Sequence, residues 1–405
     1  MNNKNPSEIL DAIKTSIDYK GIKNNINLHE PSFIDTRAFE YLKDCINTGW
    51  VSSSGHWVNK FEEEICKFTG SNHAVAVTNG TVALRLALHC VGVEFNNEVI
   101  MPPFTFVATA NAISHLGAYP HFVDISSKNL SLAPELVRKR LEEIAIRKHG
   151  KVFNKITGRR IAAILPVHVF GMPAELFKIK EVAEDWGLPI VEDAAEALGS
   201  RHYVDKNRFV HCGLIGDLGV ISFNGNKLIT TGGGGIIITN NKKLAMKCKH
   251  LSTTAKKNHP WEFDHDEIGW NDRMPNINAA LGVAQLEVIE NKLLRKNILL
   301  NKYKDSFSLF DNVEILEDYS KNIANNWLIN IRYLDHDIKR AKKIRDELLQ
   351  RAFSENIFMR PAWRLIHKLK MYKNNPKTNL KVAEDQEFRI VSLPSSPQLV
   401  SRELI

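Results

Sequence analysis

The sequence lacks the features that mark membrane-spanning and secreted proteins. Across its 405 residues, no apolar run reaches the roughly 18 residues that suggest a membrane span. The polar segment 1–27 contains no apolar stretch followed by a small-residue cleavage site, so it does not resemble a secretory signal. These absences predict a cytoplasmic protein that contacts no membrane.

Cysteine is scarce and follows no pattern. The five cysteines lie far apart, without the paired spacing of zinc sites or redox motifs. An odd, unpatterned set of cysteines is typical of reduced thiols and not of a disulfide framework. We therefore expect neither disulfides nor a metal site.

Positive charge is in excess, but it is not concentrated in one segment. The formal net charge is +8, and the basic residues are spread along the chain without a nucleic-acid recognition motif. This excess suits a small anionic substrate, and we expect no nucleic-acid partner. Apolar residues make up 43% and charged residues 25% of the chain, which is ordinary for a soluble globular protein.

Strand-like and helix-like segments alternate through the first half of the chain. Candidate strands occupy 74–77, 98–101, 120–124, 161–167, 189–191 and 218–223. Candidate helices occupy 37–48, 57–69, 80–90, 105–114, 134–149 and 174–186. This alternation predicts an α/β fold in which helices sandwich a mostly parallel sheet. In such sheets, ligands bind beyond the carboxyl ends of the strands.

The second half of the chain has a different character. Residues 275–303 predict one long helix, and residues 311–405 mix short strands with a helix at 338–351, which indicates a smaller C-terminal α+β domain. The polar stretch 147–160 predicts a basic surface loop inserted before a core strand.

The same patterns divide the chain into three parts. Residues 7–18 place isoleucine and leucine at helical spacing, which predicts a short amphipathic helix ahead of the core. We therefore expect an N-terminal helical extension over 1–27 and a large domain over 28–274. The long helix and the small domain then occupy 275–405.

Lys227 and Asp193 are the most informative residues of the sequence. Asp193 ends an apolar strand, and Lys227 follows the strand 218–223 and precedes the run Gly232–Gly235. Pyridoxal 5'-phosphate (PLP) enzymes need a lysine amine that forms a Schiff base, and a carboxylate that keeps the pyridine nitrogen protonated. The alternatives are a solvated surface lysine and an acid that caps the next helix.

Other residues near strand ends could complete such a site. Asn79-Gly80-Thr81 opens a helix whose backbone N–H groups could bind a phosphate, although Asn-Gly is more often a plain turn. Ser222 could add a hydroxyl, and Phe106 could stack on the pyridine ring or belong to the core. The run Gly232–Gly235 predicts a tight hairpin with positive φ beside the cofactor, because a strand and not a helix follows it.

Several motifs in order resemble the sugar-nucleotide aminotransferases of the DegT/DnrJ family, a branch of the PLP fold type I enzymes. The resemblance covers roughly residues 28–400 and implies an aspartate-aminotransferase-like fold. The matching segments are 49–55, 78–81, 103–111, 191–195, 222–227, 269–274 and 360–363.

The resemblance implies a role for each matching position. Lys227 would form the Schiff base and move protons, and Asp193 would hold the pyridine nitrogen. The remaining cofactor contacts would come from Gly80, Thr81, Phe106, Glu196, Ser222 and Asn271. Asn271 would reach the cofactor phosphate of a second subunit, which implies a homodimer with shared active sites. Near the sugar nucleotide would lie Ser53, Arg360 and Trp363.

Three departures from the common family pattern point to a subgroup. Glu196 stands where the family commonly has histidine or glutamine near the phenolic oxygen of the cofactor. Residues 224–226 and 233–234 differ around the lysine, and the basic stretch 147–160 is inserted. These variants resemble the subgroup that transfers an amine from L-glutamate to carbon 4 of nucleotide-linked 4-keto-6-deoxy 2-acetamido sugars, for surface glycans, nonulosonic acids or bacillosamine. The basic stretch could meet the pyrophosphate of such a substrate.

Four other functions remain open at this point. The first is a PLP aminotransferase that acts on a 3-keto sugar nucleotide. The second is a PLP aminotransferase that acts on a keto-cyclitol or a free amino acid. A PLP-dependent sugar dehydratase is a third, although its relatives replace the lysine with histidine and Lys227 is present here. The fourth is a non-catalytic regulatory protein, against which the intact Lys227, Asp193 and Ser222 argue.

Overall fold

A central sheet organises the large part of the molecule. The structure is a computed structural model that describes residues 5–17, 25–318, 320–335 and 337–400. The strands of this part are β1 His73–Val77, β2 Glu98–Met101, β3 Tyr119–Phe122, β4 Ala145–Lys148, β5 Lys151–Asn154, β6 Arg160–Ile164, β7 Val191–Asp193, β8 Arg201–Asp205, β9 Arg208–His211, β10 Leu218–Ser222 and β11 Gly235–Thr239. Strands β8 and β9 form a separate two-stranded sheet, and Arg201 of β8 also makes an isolated antiparallel bridge with Ile323.

The central sheet has two halves that join at β6 and β7. One half has the order β1-β11-β10-β7, and the other begins β3-β2-β6. Parallel bridges from Ile164 to Ile190 and from Val167 to Asp193 connect the halves. Strands β3, β2, β6, β7 and β10 run parallel, and β11 runs antiparallel between β10 and β1. The prediction of a mostly parallel sheet is confirmed.

Helices cover the central sheet on both faces. Within the described part of the first 252 residues, the helices are α1 Pro6–Ser16, which packs elsewhere, and α2 Ala38–Thr48, α3 His56–Thr69, α4 Gly80–Cys90, α5 Ala108–Ser114, α6 Pro134–Ile144, α7 Leu176–Trp186 and α8 Lys242–Ser252. Buried aliphatic side chains of α4 and α5 pack on one face of the sheet, and those of α6 and α7 form a separate cluster with β6. The alternation of helix-like and strand-like segments in the sequence therefore produces a buried sheet with layers of helices around it.

The basic stretch before β6 is a hairpin and not a loop. Helix α6 ends at Ile144, earlier than the predicted residue 149, and β4 and β5 pair antiparallel. His149 and Gly150 connect them with φ of 50° and 74°, which is the two-residue turn that suits the twist of paired strands. Strand β5 pairs with Arg160 and Ile161 at the start of β6. The hairpin thus lies at the opposite end of β6 from the carboxyl ends of the strands.

The predicted long helix is two helices. Helix α9 spans Asn276–Leu286 and α10 spans Ile289–Phe307. Val288 between them leaves the helical region with φ −111° and ψ 12°. The sequence carries no proline or glycine at this break, but Tyr41 donates a hydrogen bond of 2.7 Å to Glu287 and Arg37 pairs with it. The break therefore reflects contacts with α2, which a sequence pattern does not show.

A small antiparallel sheet follows. Its strands are β12 Val313–Leu316, β13 Asn330–Tyr333, β14 Arg360–Pro361 and β15 Ile390–Ser392, and its helices are α11 Ile338–Ser354 and α12 Lys381–Gln386. The order is β12-β13-β15-β14. Helix α1 packs here, with Ile9, Ile13 and Leu299 in the same apolar cluster. The division at residues 27/28 and 274/275 stays a prediction, and α1 belongs by its contacts with the C-terminal part.

Among the described residues, no helix combines the length and the apolar character that crossing a bilayer requires. The cytoplasmic location stays a prediction.

Glu98 is a buried carboxylate that ties the hairpin to the central sheet. It accepts hydrogen bonds from His121 Nδ1 at 2.8 Å, Asn154 Nδ2 at 2.9 Å and Thr157 Oγ1 at 2.6 Å. Arg140 donates to the other ring nitrogen of His121, so the Nδ1 atom carries the proton. Burial alone would raise the pKa of Glu98, but these hydrogen bonds outweigh it and lower the pKa.

Glu98→Gln should destabilise the fold. The amide keeps the shape but replaces a charged acceptor of buried donors, so we expect the free energy of unfolding to fall by on the order of 2 kcal/mol at neutral pH. Folding lowers the pKa of Glu98, so its contribution is present above the usual value of 4.5 and is lost as pH falls through the lowered pKa. Urea unfolding at several pH values measures both effects.

The matched control for this experiment is Glu142→Gln on the exposed side of α6. We expect it to change the free energy of unfolding by less than about 0.5 kcal/mol. A Glu98→Gln deficit that stays constant as the solution is acidified would contradict the stabilising role of the charge.

Candidate active site

The carboxyl ends of β1, β2, β7 and β10 open into one cavity. Its volume is about 320 Å³. Residues from the connections after these strands surround it, together with two tryptophans from the C-terminal part. The lining residues are Asn79, Gly80, Thr81, Leu84, Thr105, Phe106, Ala108, Thr109, Val167, Asp193, Ala195, Glu196, Ser222, Asn224, Asn226, Lys227, Trp327 and Trp363.

One wall of the cavity is the N-terminus of helix α4. Asn79 caps the helix, and its Oδ1 atom accepts a hydrogen bond of 2.9 Å from the backbone N–H of Val82. Gly80 lies so close to Ser222 that a Cβ at Gly80 would be 3.0 Å from the Cβ of Ser222. The helix end, with its free N–H groups and positive dipole, and the Ser222 hydroxyl form a cradle suited to a phosphate.

Asp193 lies at the end of β7 with only 4% of its surface exposed. Its Oδ2 atom accepts a hydrogen bond of 2.8 Å from the hydroxyl of Thr109, which lies 2.9 Å from the hydroxyl of Thr105. Its Oδ1 atom accepts one of 3.1 Å from the backbone N–H of Ala195. Burial raises the pKa of Asp193, and these hydrogen bonds partly offset the rise. The carboxylate is thus fixed and ready for a cationic partner in the cavity.

Lys227 lies in a long connection and not beside a tight hairpin. Ser222 of β10 pairs with Gly235 of β11, so the chain between them spans residues 223–234. Gly232 has φ of 78° within this connection, as the sequence predicted, but the predicted tight hairpin is wrong. Lys227 Nζ lies 3.4 Å from Glu196 Oε1 and 3.7 Å from the ring centroid of Trp327.

Glu196 is held from the side opposite Lys227. Its Oε2 atom accepts a hydrogen bond of 2.8 Å from the backbone N–H of Phe170. Phe170 has φ of 57°, a left-handed conformation that is strained for a bulky residue. Burial raises the pKa of Glu196, and the nearby charge of Lys227 opposes this rise.

Most of the residues predicted from sequence meet in this cavity, and three do not line it. Its lining includes Gly80, Thr81, Phe106, Asp193, Glu196, Ser222, Lys227 and Trp363. Asn271 and Arg360 are exposed, and Ser53 is half-buried. The functional roles of all these residues stay predictions. The basic stretch 147–160 is also absent from the lining, and its contact with the pyrophosphate of the substrate stays a prediction.

Several contacts around the cavity could not be predicted from the sequence. The position of Trp327 over Lys227 depends on packing between residues far apart in the chain. The side chain of Asn325 accepts a hydrogen bond of 2.9 Å from the backbone N–H of Trp327, and it donates one of 2.8 Å to the carbonyl oxygen of Glu196. Thr109 could have been suspected, because it follows the same strand end as Phe106.

A second buried cluster lies behind Asp193 and serves as a hydrogen-bond network. His168 Nε2 lies 2.9 Å from Glu192 Oε2, and His168 Nδ1 accepts a hydrogen bond of 3.1 Å from the N–H of Ala174. His202 and Cys212 lie close by. Because both ring nitrogens of His168 are engaged, the group lacks a free nitrogen there for a metal ion. Glu192 also accepts backbone hydrogen bonds, which fixes the chain beneath β7.

Comparison with known proteins identifies the relatives of this chain. The model of the DegT/DnrJ/EryC1/StrS aminotransferase family matches residues 32–404. The chain belongs to this family. It is a PLP-dependent aminotransferase with the fold of the type I enzymes.

Individual relatives span nearly the whole chain. GDP-perosamine synthase of Escherichia coli O157:H7 is 33% identical, over 94% of this chain and 96% of the relative. GDP-perosamine synthase of Vibrio cholerae is 32% identical, over 92% of this chain and 95% of the relative. The solved structure of Helicobacter pylori PseC, an aminotransferase involved in the biosynthesis of pseudoaminic acid, has a TM-score of 0.82 at 25% identity and covers 94% of this chain and 96% of that one.

The residues around the cavity fit the cofactor of the family. A buried carboxylate, Asp193, and a lysine amine, Lys227, line the same space, and both are needed at opposite ends of a PLP ring system. The α4 N-terminus and Ser222 form a cradle that a Cβ at Gly80 would fill. The carboxylate suits a pyridinium nitrogen, the amine suits an aldehyde, and the cradle suits a phosphate.

Gly80→Ala should weaken PLP binding. The added Cβ would lie 3.0 Å from Ser222 Cβ and 3.2 Å from Ser222 Oγ, so it would displace the hydroxyl and narrow the phosphate cradle. We expect the dissociation constant for PLP to rise about tenfold, which corresponds to ~1.4 kcal/mol. Titration of the cofactor-free protein with PLP, followed by absorbance, measures it.

The chain offers a matched control, because a Cβ at Gly225 would meet no atom within 4 Å. Gly225→Ala adds the same methyl group to the lysine connection and should leave PLP affinity unchanged. Equal affinities of the Gly80→Ala and wild-type proteins would show that the phosphate binds elsewhere.

Proposed function

We propose that this enzyme transfers an amine from L-glutamate to the C4 ketone of a nucleotide-linked 4-keto-6-deoxy sugar, in the cytoplasm and as a homodimer. The observation that carries the proposal is the cavity that joins Lys227, Asp193 and the α4 N-terminus in a chain of this family. The near full-length likeness to proteins named GDP-perosamine synthase supports a sugar nucleotide as the acceptor. The 2-acetamido group of the sugar rests on the subgroup resemblance.

Each residue of the cavity has a part in the proposed site. Lys227 would hold the cofactor through its amine, and Asp193 would hold the pyridine nitrogen in its protonated form. Gly80, Thr81 and Ser222 would bind the phosphate, and Phe106 would cover a face of the ring. When bound, PLP supplies an electron sink that stabilises negative charge on the carbon next to the transferred nitrogen.

Proton movement would fall to Lys227. Its amine is mobile on a flexible side chain and lies within the cavity, 3.4 Å from Glu196. In the neutral form it would remove the α-proton of glutamate as a general base, and in the charged form it would return a proton as a general acid. The sugar half of the cycle would use the same two steps in reverse.

The substrate side of the cavity has an aromatic wall. Trp363 stacks on Phe170 with ring centroids 4.8 Å apart and an angle of 25°. A flat apolar wall suits the 6-deoxy edge of a sugar, whose methyl group needs no hydrogen bond. Arg360 is exposed, and its guanidinium suits a nucleotide pyrophosphate by charge. Ser53 would contribute a hydroxyl to the same substrate.

The position of Asn271 is the reason for proposing a homodimer. It is exposed and does not line the cavity of its own protomer. It is flanked by Trp270 and Asp272, which are fixed by Arg85 through a cation–π contact and an ion pair. A fixed, exposed asparagine of this kind could reach the cofactor phosphate of a second subunit.

The reaction can be tested on the purified PLP-bound enzyme. Addition of L-glutamate should change the absorbance of the bound cofactor, and one member of a panel of UDP-, GDP- and dTDP-linked 4-keto sugars should restore it. Mass spectrometry should then detect the amino sugar. Lys227→Ala protein should lose turnover by at least roughly a thousandfold, since a missing general base and nucleophile cannot be replaced by water.

The outcomes of this experiment separate the possible functions. A response to glutamate without recovery by any 4-keto sugar would remove the C4 assignment, and 3-keto sugars and keto-cyclitols would be offered next. Absence of any response to glutamate would refute the proposed donor. Wild-type turnover by Lys227→Ala would refute the mechanism.

Mixed dimers can test whether the active site is shared. Lys227→Ala and Asn271→Ala proteins should each have little activity alone. After mixing and subunit exchange, half of the dimers should contain one site with both native residues, so activity should recover to about one quarter of wild type. If Asn271 acts in its own protomer or has no role in the site, mixing restores nothing beyond the sum of the two proteins.

A further inference from the structure

Two buried threonine hydroxyls lead to the Asp193 carboxylate. Thr105 lies just before helix α5, and Thr109 lies in the first turn of that helix. Their Oγ1 atoms are 2.9 Å apart, and Thr109 Oγ1 lies 2.8 Å from Asp193 Oδ2. Each threonine is only 2% exposed, although both border the cavity. The three side chains therefore form a continuous row of hydrogen bonds that is shielded from bulk water.

The charge of Asp193 fixes the direction of this row. An ionised carboxylate can only accept hydrogen bonds, so the hydroxyl hydrogen of Thr109 must point to Asp193 Oδ2. Thr109 then has only lone pairs left for Thr105, and the hydroxyl hydrogen of Thr105 must point to Thr109. A protonated carboxyl that donates from Oδ2 would reverse both bonds. The two hydroxyl dipoles thus align with their positive ends toward the ionised carboxylate.

The other oxygen of Asp193 has a partner that cannot reverse. The backbone N–H of Ala195 donates to Oδ1 at 3.1 Å, and an amide N–H is a donor in every protonation state of its partner. In the described part of the chain, the hydrogen bonds to this carboxylate come from Thr109 and Ala195. One hydroxyl and one N–H therefore hold the plane of the carboxylate and favour its charged form.

Three other titratable groups face Asp193. Burial has the largest effect on the pKa of Asp193 and raises it, whereas the two hydrogen bonds lower it, followed by the charges of Lys227 and His168. Glu196 lies close enough for the charge of Asp193 to raise the pKa of Glu196. The hydroxyl of Thr109 is therefore the strongest side-chain contribution that opposes the effect of burial on Asp193.

We propose that Thr109, oriented by Thr105, is a positioning residue that keeps the Asp193 carboxylate charged and fixed in orientation for the pyridine nitrogen of PLP. This inference rests on the proposed role of Asp193 in the cavity. A protonated pyridine nitrogen is positively charged, and a neutral carboxyl in a buried site would not stabilise that charge. The two hydroxyls prepare the carboxylate in advance, so binding of PLP does not have to include the ionisation of a buried acid.

The test compares PLP with its deaza analogue, in which a C–H group replaces the pyridine nitrogen. Both compounds keep the aldehyde, the phosphate and the shape of the ring, but only PLP can pair with a charged Asp193. Titration of the cofactor-free, full-length protein, followed by tryptophan fluorescence, gives the dissociation constant of each compound. In Thr109→Val protein the preference for PLP over the analogue should fall about tenfold, because a hydrogen bond to a charged group is lost.

Three further variants separate the hydroxyl from the bulk of the side chain. Thr109→Ser keeps the hydroxyl and should keep most of the preference for PLP. Thr105→Val removes only the group that orients Thr109, so the preference should fall by roughly twofold to fivefold. The matched control is Thr239→Val, at the opposite end of β11 from Gly235. The buried Thr239 hydroxyl donates to the carbonyl oxygen of Asp217 at 2.7 Å, and its loss should leave the preference unchanged.

Unfolding of the cofactor-free protein gives a second readout without any ligand. Folding raises the pKa of Asp193 above its usual value of 3.8, so its ionisation removes stability as pH rises through the raised pKa. The Thr109 hydroxyl offsets part of this loss, because its hydrogen bond is stronger to a charged acceptor than to a neutral one. In urea unfolding, the destabilisation by Thr109→Val should therefore grow as pH rises through that range, whereas that by Thr239→Val should stay constant. A pH-independent effect of Thr109→Val would contradict the proposal.

The possible results decide the proposal independently of turnover. A lowered preference for PLP in Thr109→Val that Thr109→Ser restores supports it, even if no 4-keto sugar is a substrate. An unchanged preference, or an equal loss of affinity for both compounds, overturns it even if the enzyme proves to be a sugar aminotransferase. If Thr109→Val does not fold, Thr105→Val decides instead: a lowered preference supports the proposal and an unchanged one overturns it.

Discussion

The burial of the Asp193 carboxylate is the constraint on which the rest of the site depends. A charge that is 4% exposed needs partners, and Thr109 and Ala195 supply hydrogen bonds to both oxygens. The backbone of Asp193 also joins the two halves of the central sheet, since its carbonyl oxygen accepts from His168 and its N–H donates to Pro166. The residue that would polarise the cofactor is therefore also a junction of the fold.

The cavity is complete only where two parts of the chain meet. The central sheet provides Asp193, Glu196 and Lys227, whereas Trp327 and Trp363 come from the C-terminal part. Asn325 links the parts through hydrogen bonds to Glu196 and Leu198. The electrostatic surroundings of the Lys227 amine thus depend on docking of the C-terminal part against the sheet, and a disturbance of that docking would change these surroundings as well as the stability of the fold.

Local sequence signals were sufficient for the layers of the fold and for the residues at strand ends. Lys227, Asp193 and Gly80 follow strands whose apolar pattern is strong, and the structure brings them to one cavity. The hairpin β4–β5 and the break between α9 and α10 depend on contacts distant in sequence, with Glu98 and with α2. The roles of Trp327 and Asn325 could not be predicted for the same reason. The residues next to Trp327 in the sequence do not indicate that it packs against a lysine one hundred positions earlier.

Phe170 shows how one position can carry two incompatible demands. Its left-handed backbone directs an N–H at Glu196, and a glycine would adopt that conformation at no steric cost. Its ring stacks on Trp363 and contacts Phe104, which a glycine could not do. No amino acid suits both the backbone and the wall, so the protein tolerates a permanent compromise here. Both the backbone and the ring of Phe170 therefore restrict which residues can replace it. Any replacement that relaxes the backbone opens a gap where the substrate is proposed to lie.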